Sequence, residues 1–179
     1  MSAARFFVEM HVNGQKIGPI EVPKQTMMIQ FLHEYLNLTG TKFGCGAGVC
    51  HACVILEQTD SGYRAHRTCI TGVGAFNGKS LVTVEGHAQI DPDTGEVTLH
   101  PVQQAFIEHF SFQCGWCTPG FVNEAIALYD SLERNPIPKD KLRATIDTAL
   151  GDHICRCTGY VKYYRAIEDL LTSQPGLLL

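Results

Sequence analysis

One glycine- and cysteine-rich stretch limits what this chain can fold into more than any other. Residues 44–53 read Gly-Cys-Gly-Ala-Gly-Val-Cys-His-Ala-Cys, so Cys45, Cys50 and Cys53 are spaced C-x4-C-x2-C. This spacing is typical of three of the four thiolates that hold a [2Fe–2S] cluster, and the glycines allow a tight turn that aims backbone N–H groups at sulfur. A fourth thiolate is needed, and Cys69 is the next cysteine along the chain.

Two other uses of these cysteines must be weighed. Cys50 and Cys53 form a CxxC pair, which is also found in zinc sites, although zinc sites usually combine two such short motifs. A disulfide framework is typical of small secreted chains, whereas these cysteines crowd into a few short stretches.

Composition narrows the class of protein. The chain has 179 residues, 45% hydrophobic and 18% charged, which is ordinary for a folded protein of one or two domains. A net charge of −4 gives no reason to expect nucleic acid or an anionic membrane as a partner. The chain has eight cysteines and no secretory segment, which predicts thiols kept as metal ligands in a reducing compartment. Since no apolar run approaches the length needed to span a bilayer, direct membrane insertion is not expected.

The N-terminal half has the patterns of an α+β unit. Alternation in residues 5–12 predicts a half-buried strand, Asn13-Gly14 predicts a type I′ hairpin, and Thr26 is predicted to cap a helix that runs to about Asn37 before Gly40. The predicted strands are 5–12, 16–22, 54–58, 63–68 and 81–85. This unit is expected to end near residue 86, with a polar connector at 87–95.

After Pro101 the hydrophobic period changes to that of helices, predicted at 102–110, 121–132, 139–150 and 161–171. Two cysteine pairs, Cys114 with Cys117 and Cys155 with Cys157, each precede a helix. Thr118 and Thr158 are the predicted N-caps, and helix N-termini favour thiolates. The tail, 173–179, is expected to be frayed or to lie on a partner. Taken alone, this half would also suit a zinc site with four thiolates.

The eight cysteines divide into two sets of four with none left over. The first predicted ligand set is Cys45, Cys50, Cys53 and Cys69, and the second is Cys114, Cys117, Cys155 and Cys157. Two redox centres in one small chain predict an electron relay.

Several motifs resemble the iron–sulfur subunit of the molybdenum hydroxylases, the xanthine dehydrogenase and aldehyde oxidase family. The stretches that carry the resemblance are Gly40-Thr41-Lys42-Phe43-Gly44-Cys45-Gly46, Cys50-x-Ala52-Cys53, Gln113-Cys114-Gly115-Trp116-Cys117-Thr118-Pro119-Gly120 and Cys155-Arg156-Cys157-Thr158-Gly159-Tyr160. The resemblance implies a plant-ferredoxin-like β-grasp domain at 1–86 and a four-helix [2Fe–2S]-binding domain at 87–179.

The same resemblance implies a function. Electrons released by aldehyde or N-heterocycle oxidation at the molybdopterin of a separate large subunit would pass through two [2Fe–2S] clusters to an FAD-binding or c-type cytochrome subunit. The Cys157 position lies closest to the pterin in that family, and the Gln113 position contacts it. A cytoplasmic location is expected, or a periplasmic one if a partner carries the export signal. The alternatives are a free ferredoxin-like electron carrier and a zinc-stabilised interaction module.

Two positions depart from the family pattern. His51 stands where glycine is usual, and the simpler interpretation is a solvent-facing substitution; the alternative is that His51 tunes the cluster or helps to dock an acceptor. Trp116 replaces the usual phenylalanine, and we expect it to pack beside the cluster.

Overall fold

The N-terminal half is built on a five-stranded mixed sheet. The computed structural model describes residues 4–179, so the first three residues of the predicted N-terminal domain lie outside the described part. The strands are β1 (Arg5–Val12), β2 (Gln15–Pro23), β3 (Val54–Thr59), β4 (Gly62–Arg67) and β5 (Ser80–Val82), in the order β2-β1-β5-β3-β4. All five predicted strands are therefore present, with β5 shorter than predicted because a 3₁₀ turn, Val84–Gly86, follows it.

The hairpin and the alternating face of β1 agree with the sequence. Asn13 and Gly14 have φ angles of 53° and 78°, as a type I′ turn requires at both central positions. Val8, Met10 and Val12 are buried in one core, while β1 pairs antiparallel with β2 and parallel with β5.

The helix predicted between Thr26 and Asn37 is shorter and different in kind. A single helical segment, α1 (Met28–Gln30), continues as a π-helix over Phe31–Tyr35. Thr26 does not cap it, since Met27 occupies the N-cap position and its N–H donates to the side chain of Gln30. The segment ends before Asn37, whose φ of 54° reverses the chain, so Gly40 is not the terminator.

Four helices form the C-terminal half. They are α2 (Pro101–Glu108), α3 (Thr118–Arg134), α4 (Leu142–Leu150) and α5 (Val161–Ser173), with 3₁₀ residues Lys139–Lys141 leading into α4. The four-helix prediction is confirmed. Within residues 4–179, no helix is long and apolar enough to cross a membrane.

Two segments differ from their predictions. The polar connector contains a small exposed hairpin, β6 (Gln89–Ile90) with β7 (Val97–Thr98). The tail is not frayed: Leu177 is buried in the helical core, and the Leu179 N–H donates to the carbonyl of Ile137 over 2.9 Å. The tail therefore has a binding site on its own chain, because Leu177 packs into the helical core.

Strand β3 joins the two halves. Ile55 belongs to the core of the sheet, whereas its neighbour Leu56 is buried among the helical residues. Asn123, buried on α3, donates to the carbonyl of Val54 over 2.6 Å and contacts His87 Nε2 at 2.7 Å. The sheet and the helices therefore pack face to face, and this packing brings the cysteine-bearing turns together.

Candidate metal centres

The first cysteine set lies in the loop that precedes β3 and at the end of β4. The thiol of Cys50 lies close enough to Cys45 to affect the pKa of Cys45, and the thiol of Cys53 lies close enough to Cys69 to affect the pKa of Cys69. Cys50, Cys53 and Cys69 are buried, whereas Cys45 is exposed. All four predicted ligands of the first centre therefore come together, as two pairs.

The loop backbone is shaped around these sulfurs. A Cβ on Gly44 would lie 2.8 Å from the Cys50 sulfur, so only glycine allows this approach. Gly48 has a φ of 72°, which favours glycine. The Ala47 N–H donates to the Cys45 sulfur over 3.3 Å. Although desolvation raises the pKa of Cys45, the backbone N–H groups of Ala47 and Val49 lower it to about 6.

The second set lies on two turns, one before α3 and one before α5. The sulfurs of Cys114 and Cys157 are 3.5 Å apart, and the thiols of Cys117 and Cys155 lie close enough to affect each other's pKa. The first of these pairs is exposed and the second is buried. The four predicted ligands of the second centre are thus also brought together in pairs.

The two predicted threonine caps are wrong. Cys117 holds the N-cap position of α3, and the Thr118 hydroxyl lies 2.7 Å from the hydroxyl of Tyr163. Tyr160, with a φ of 70°, holds the N-cap position of α5, while the Thr158 hydroxyl contacts the Cys155 sulfur at 3.0 Å. The Thr118 hydroxyl thus contacts a residue of α5, and the Thr158 hydroxyl contacts a cysteine sulfur.

The donor sets fit iron. Burial raises the pKa of Cys117 to about 12 and that of Cys69 to about 11, so these thiols keep their protons unless a cation replaces them. Desolvation also raises the pKa of Cys155, but hydrogen bonds from Thr158 outweigh it and lower that pKa. Each iron of a [2Fe–2S] cluster takes two thiolates, which matches four thiols arranged as two pairs.

The two sets face each other across a short gap. A cavity of about 320 Å³ is lined by Cys45 and Cys50 of the first set and by all four cysteines of the second. The Ile154 N–H donates to the carbonyl of Cys50 over 3.3 Å, so one hydrogen bond links the two cysteine-bearing loops directly.

The comparisons with known proteins agree with this geometry. Residues 10–73 match the family described as 2Fe-2S iron-sulfur cluster binding domain, and residues 83–168 match the family described as [2Fe-2S] binding domain. A solved structure of quinoline 2-oxidoreductase from Pseudomonas putida 86 is 32% identical, with a TM-score of 0.74, and the match covers 97% of this chain and 93% of that one. The chain belongs to the iron–sulfur subunits of the molybdenum hydroxylase family.

Other relatives are longer. Aldehyde oxidase 1 from Rattus norvegicus is 38% identical over 157 residues, which cover 84% of this chain and 11% of that protein. The aldehyde oxidoreductase from Desulfovibrio gigas is 29% identical with a TM-score of 0.74, and the match covers 97% of this chain and 18% of that one. The chain thus spans about a ninth of the length of the curated relatives it matches.

Membership in this iron–sulfur family confirms the predicted fold class, a ferredoxin-type domain followed by a helical [2Fe–2S]-binding domain. It also favours iron over the zinc alternative. The two residues predicted from the resemblance to lie near a pterin, Gln113 and Cys157, are both exposed.

The solvent-facing interpretation of His51 is wrong. This family member buries His51, with 6% of the residue exposed, and its Nδ1 lies 3.1 Å from both carboxylate oxygens of Glu124. His153, 3% exposed, places Nε2 2.6 Å from Glu124 Oε2. Glu124 and His153 were not among the residues predicted from the sequence. One feature of the sequence could have pointed to His153: like His51, it lies within two residues of a predicted ligand.

Trp116 lies beside the cavity as expected and also makes a polar contact. Its indole N–H donates to the carbonyl of Phe43 over 2.9 Å, and Lys42 Nζ lies 5.5 Å from the ring centre. Because Phe43 and Lys42 belong to the first loop, Trp116 is a second polar link between the two domains.

Proposed function

We propose that this chain is the electron-transfer subunit of a molybdenum-cofactor hydroxylase that oxidises an aldehyde or an N-heterocycle. In this role it relays electrons from a molybdopterin centre on a large partner subunit through two [2Fe–2S] clusters to FAD or to a c-type cytochrome on a further partner. Two complete sets of paired thiols, joined by the hydrogen bond from Ile154 to Cys50, are the observation that carries this proposal.

The proposed ligands are the two sets of four cysteines, and the proposed domains are 1–86 and 87–179. When bound, each cluster supplies a site that holds one electron at a time. The protein arranges the thiols in pairs, keeps water from the buried pairs, and directs N–H and O–H groups at sulfur. Hydrogen bonds to the sulfurs and burial are the means by which a protein sets a cluster potential.

The exposure of the second set supports a large-subunit interface. Cys114 and Cys157 are exposed, and Gln113 is exposed beside them. Exposed apolar side chains lie on the neighbouring segments: Ile107, Phe110, Phe112, Trp116, Ile154 and Val161. Several exposed apolar side chains on segments beside a redox site fit a permanent partner better than the transient encounters of a free carrier. We place the molybdopterin subunit on this face.

The first set has a smaller apolar surface on its own loop. Val49 and Ile70 are 56% and 52% exposed, and Ile70 packs close to Gly48 beside the exposed Cys45. We place the acceptor subunit, carrying FAD or haem, on this side. The proposed location is cytoplasmic, or periplasmic if a partner carries the export signal.

Iron counting and EPR test the relay. The full chain, purified without oxygen and reduced with dithionite, should contain about four irons and give two distinct S = 1/2 signals. Cys69→Ser should remove one signal and Cys117→Ser the other, each leaving about two irons. A protein with zinc in place of iron would overturn the proposal, and so would the loss of the same EPR signal in both variants.

Partner capture tests the enzyme. Co-purification of the holoenzyme should recover a molybdopterin-containing subunit at a stoichiometric ratio with this chain. Replacing the exposed Phe110, 74% exposed, by glutamate should reduce that recovery, whereas the same change at exposed Phe7 should not. Equal recovery of both variants would remove the proposed interface.

A further inference from the structure

A buried polar contact lies between the two proposed centres. Glu124 projects from α3 with its side chain 12% exposed, and it accepts from His51 Nδ1 at 3.1 Å. On the other side, His153 Nε2 is 2.6 Å away, with its side chain fully buried. Among residues 4–179, neither ring nitrogen of His153 makes an aligned hydrogen bond, so its approach to Glu124 is a close electrostatic contact.

The two histidines place this contact next to both ligand sets. His51 lies between the proposed ligands Cys50 and Cys53, and His153 lies two residues before Cys155. Each half of the molecule therefore contributes one histidine, and a single carboxylate touches both.

Stacked rings continue the contact into the second centre. The His153 ring stacks on Phe121 at 4.0 Å, and Phe121 stacks on Tyr163 at 4.1 Å. The Tyr163 hydroxyl lies 3.7 Å from the Cys117 sulfur. Packed side chains thus run without a break from the first loop to a proposed ligand of the second cluster.

The backbone at His51 indicates that its side chain has a role. His51 has a φ of 58°, a conformation that glycine adopts at no steric cost and that other residues adopt at some cost. Such a cost persists only when surrounding contacts offset it. Here the contact is the one with Glu124.

Glu124 is an anion in this setting. Burial raises its pKa, but the contacts with His153 and His51 outweigh burial and lower the pKa of Glu124 to about 2. A fixed negative charge in a site of low dielectric makes the addition of an electron nearby less favourable.

We propose that Glu124, held between His51 and His153, is a positioning residue that fixes the two cluster-binding loops relative to each other and lowers the reduction potentials of both clusters. This inference rests on the proposed function. Glu124 binds neither set of cysteines; it acts on the reduction potentials through the position of the two loops and through its own charge.

Histidine and carboxylate are also metal ligands, and the ligand atoms of these three side chains lie within 4.8 Å of one another. Direct contact among the three side chains is favoured because Glu124 lies between the two histidines, 3.1 Å from His51 Nδ1 and 2.6 Å from His153 Nε2. A separate metal ion bound by these three side chains would be detected as a stoichiometric metal other than iron.

The first test replaces the charge and keeps the shape. Glu124→Gln in the full chain should move both midpoint potentials, measured by EPR-monitored redox titration, in the positive direction. The matched control is Glu57→Gln, since the side chain of Glu57 is buried to a similar degree, 11% exposed, and lies 2.6 Å from a histidine, His66. Glu57 is additionally paired with Lys79 at 3.0 Å, and both of these polar partners lie in the first domain, so its replacement should shift the potentials less.

The second test measures loop position without relying on the clusters' activity. The Ile154 amide, which donates to the Cys50 carbonyl, reports on the loop junction by hydrogen exchange. Glu124→Ala and His51→Gly should each speed its exchange on the order of ten-fold, whereas Glu57→Gln should not.

The outcomes separate the inference from the function. Potentials that move no more in Glu124→Gln than in Glu57→Gln, or unchanged exchange at Ile154, would overturn the inference while the two-cluster relay stands. If Glu124→Gln does not fold, His51→Gly decides by the same exchange measurement. A stoichiometric metal other than iron that disappears in Glu124→Gln would overturn the positioning role in favour of a metal site. Absence of iron from the unaltered chain would overturn the proposed function itself.

Discussion

Each candidate centre uses four thiols in two pairs, yet the two centres are built in different ways. In the first, three cysteines lie within nine residues of one loop, and the loop conformation itself sets their spacing. In the second, the four cysteines come from two turns about forty residues apart, at the N-termini of α3 and α5. Their spacing is set by how these helices pack, with Tyr163 fully buried beneath them.

This difference indicates which changes each centre tolerates. A loop site depends on backbone conformations such as those of Gly44 and Gly48, and it is sensitive to added side-chain atoms near sulfur. A helix-turn site depends on core packing far from the sulfurs. At the junction between the domains, both loop backbone conformation and helix packing are needed to hold the cysteines in place.

The largest loss of stability is expected from a substitution at the junction between the domains. A Cβ added at Gly120 would lie 2.1 Å from the carbonyl oxygen of His51, so Gly120→Ala must displace backbone. We expect a loss of about 3 kcal/mol of unfolding free energy, measured by thermal or chemical denaturation, with iron lost from both centres. Gly72→Ala is the matched control, because its Cβ would meet only the Thr26 carbonyl at 3.9 Å. Similar losses in the two variants would show that the domains do not depend on this close approach.

Core truncation on either side of the junction is the next test. Leu177, 3% exposed, lies in the helical core, and Leu81, 1% exposed, lies in the core of the sheet. Each change to alanine should cost about 2–4 kcal/mol. Leu177→Ala should weaken the second centre first, and Leu81→Ala the first, as followed by the two EPR signals during denaturation. Simultaneous loss of both signals in both variants would mean that the junction makes the domains unfold as one unit.

A smaller and more selective effect is expected from Tyr163→Phe. This change removes the hydroxyl that lies 2.7 Å from the Thr118 hydroxyl and 3.7 Å from the Cys117 sulfur. We expect a cost of about 1–2 kcal/mol, and a potential that becomes more negative for the second cluster alone, since a donor to its sulfur is lost. Tyr164→Phe, at a half-buried ring beside Arg143, is the control. A shift of the first cluster would contradict the separate construction of the two centres.

The sequence predicted what depends on local spacing. The cysteine grouping, the Asn13-Gly14 hairpin, the five strands and the four helices of the C-terminal half are all encoded within short windows. The cap assignments to Thr118 and Thr158 failed because both hydroxyls have partners distant in sequence or at sulfur, which cap rules do not include. Propensity also gave a regular helix after Thr26, where the packing of Phe31 and Leu32 in the core accompanies a π-helix.

The remaining failures are matters of tertiary contact. The docking of Leu177 into the helical core and the burial of His51 against Glu124 join residues far apart in the chain. In each contact the two partners are too far apart in the sequence for a local pattern to contain both. For His51, comparison with the family pattern marked the position as unusual, but only the packing of α3 on the first loop explains it.

The smallest effect concerns pH and the start of α2. His100 is the N-cap of α2, and its Nδ1 accepts from the Val102 N–H over 3.2 Å. Burial, and then the charge of His87, lower the pKa of His100 to about 4. Because the folded value lies below the ordinary one of about 6.5, the neutral form contributes stability that is fully present above pH 6.5 and is lost as the pH falls toward 4.

His100→Asn keeps a capping acceptor and removes the titration, so it should flatten the pH dependence of stability. Between pH 7 and pH 5.5 the unaltered chain should lose up to about 1 kcal/mol more than the variant, a value discounted for the partial exposure of the ring. Thermal midpoints of the cluster-loaded protein across this range provide the measurement, with exposed His11→Asn as the control. Parallel curves for His100→Asn and the unaltered chain would show that the α2 cap does not contribute to the pH response of the helical centre.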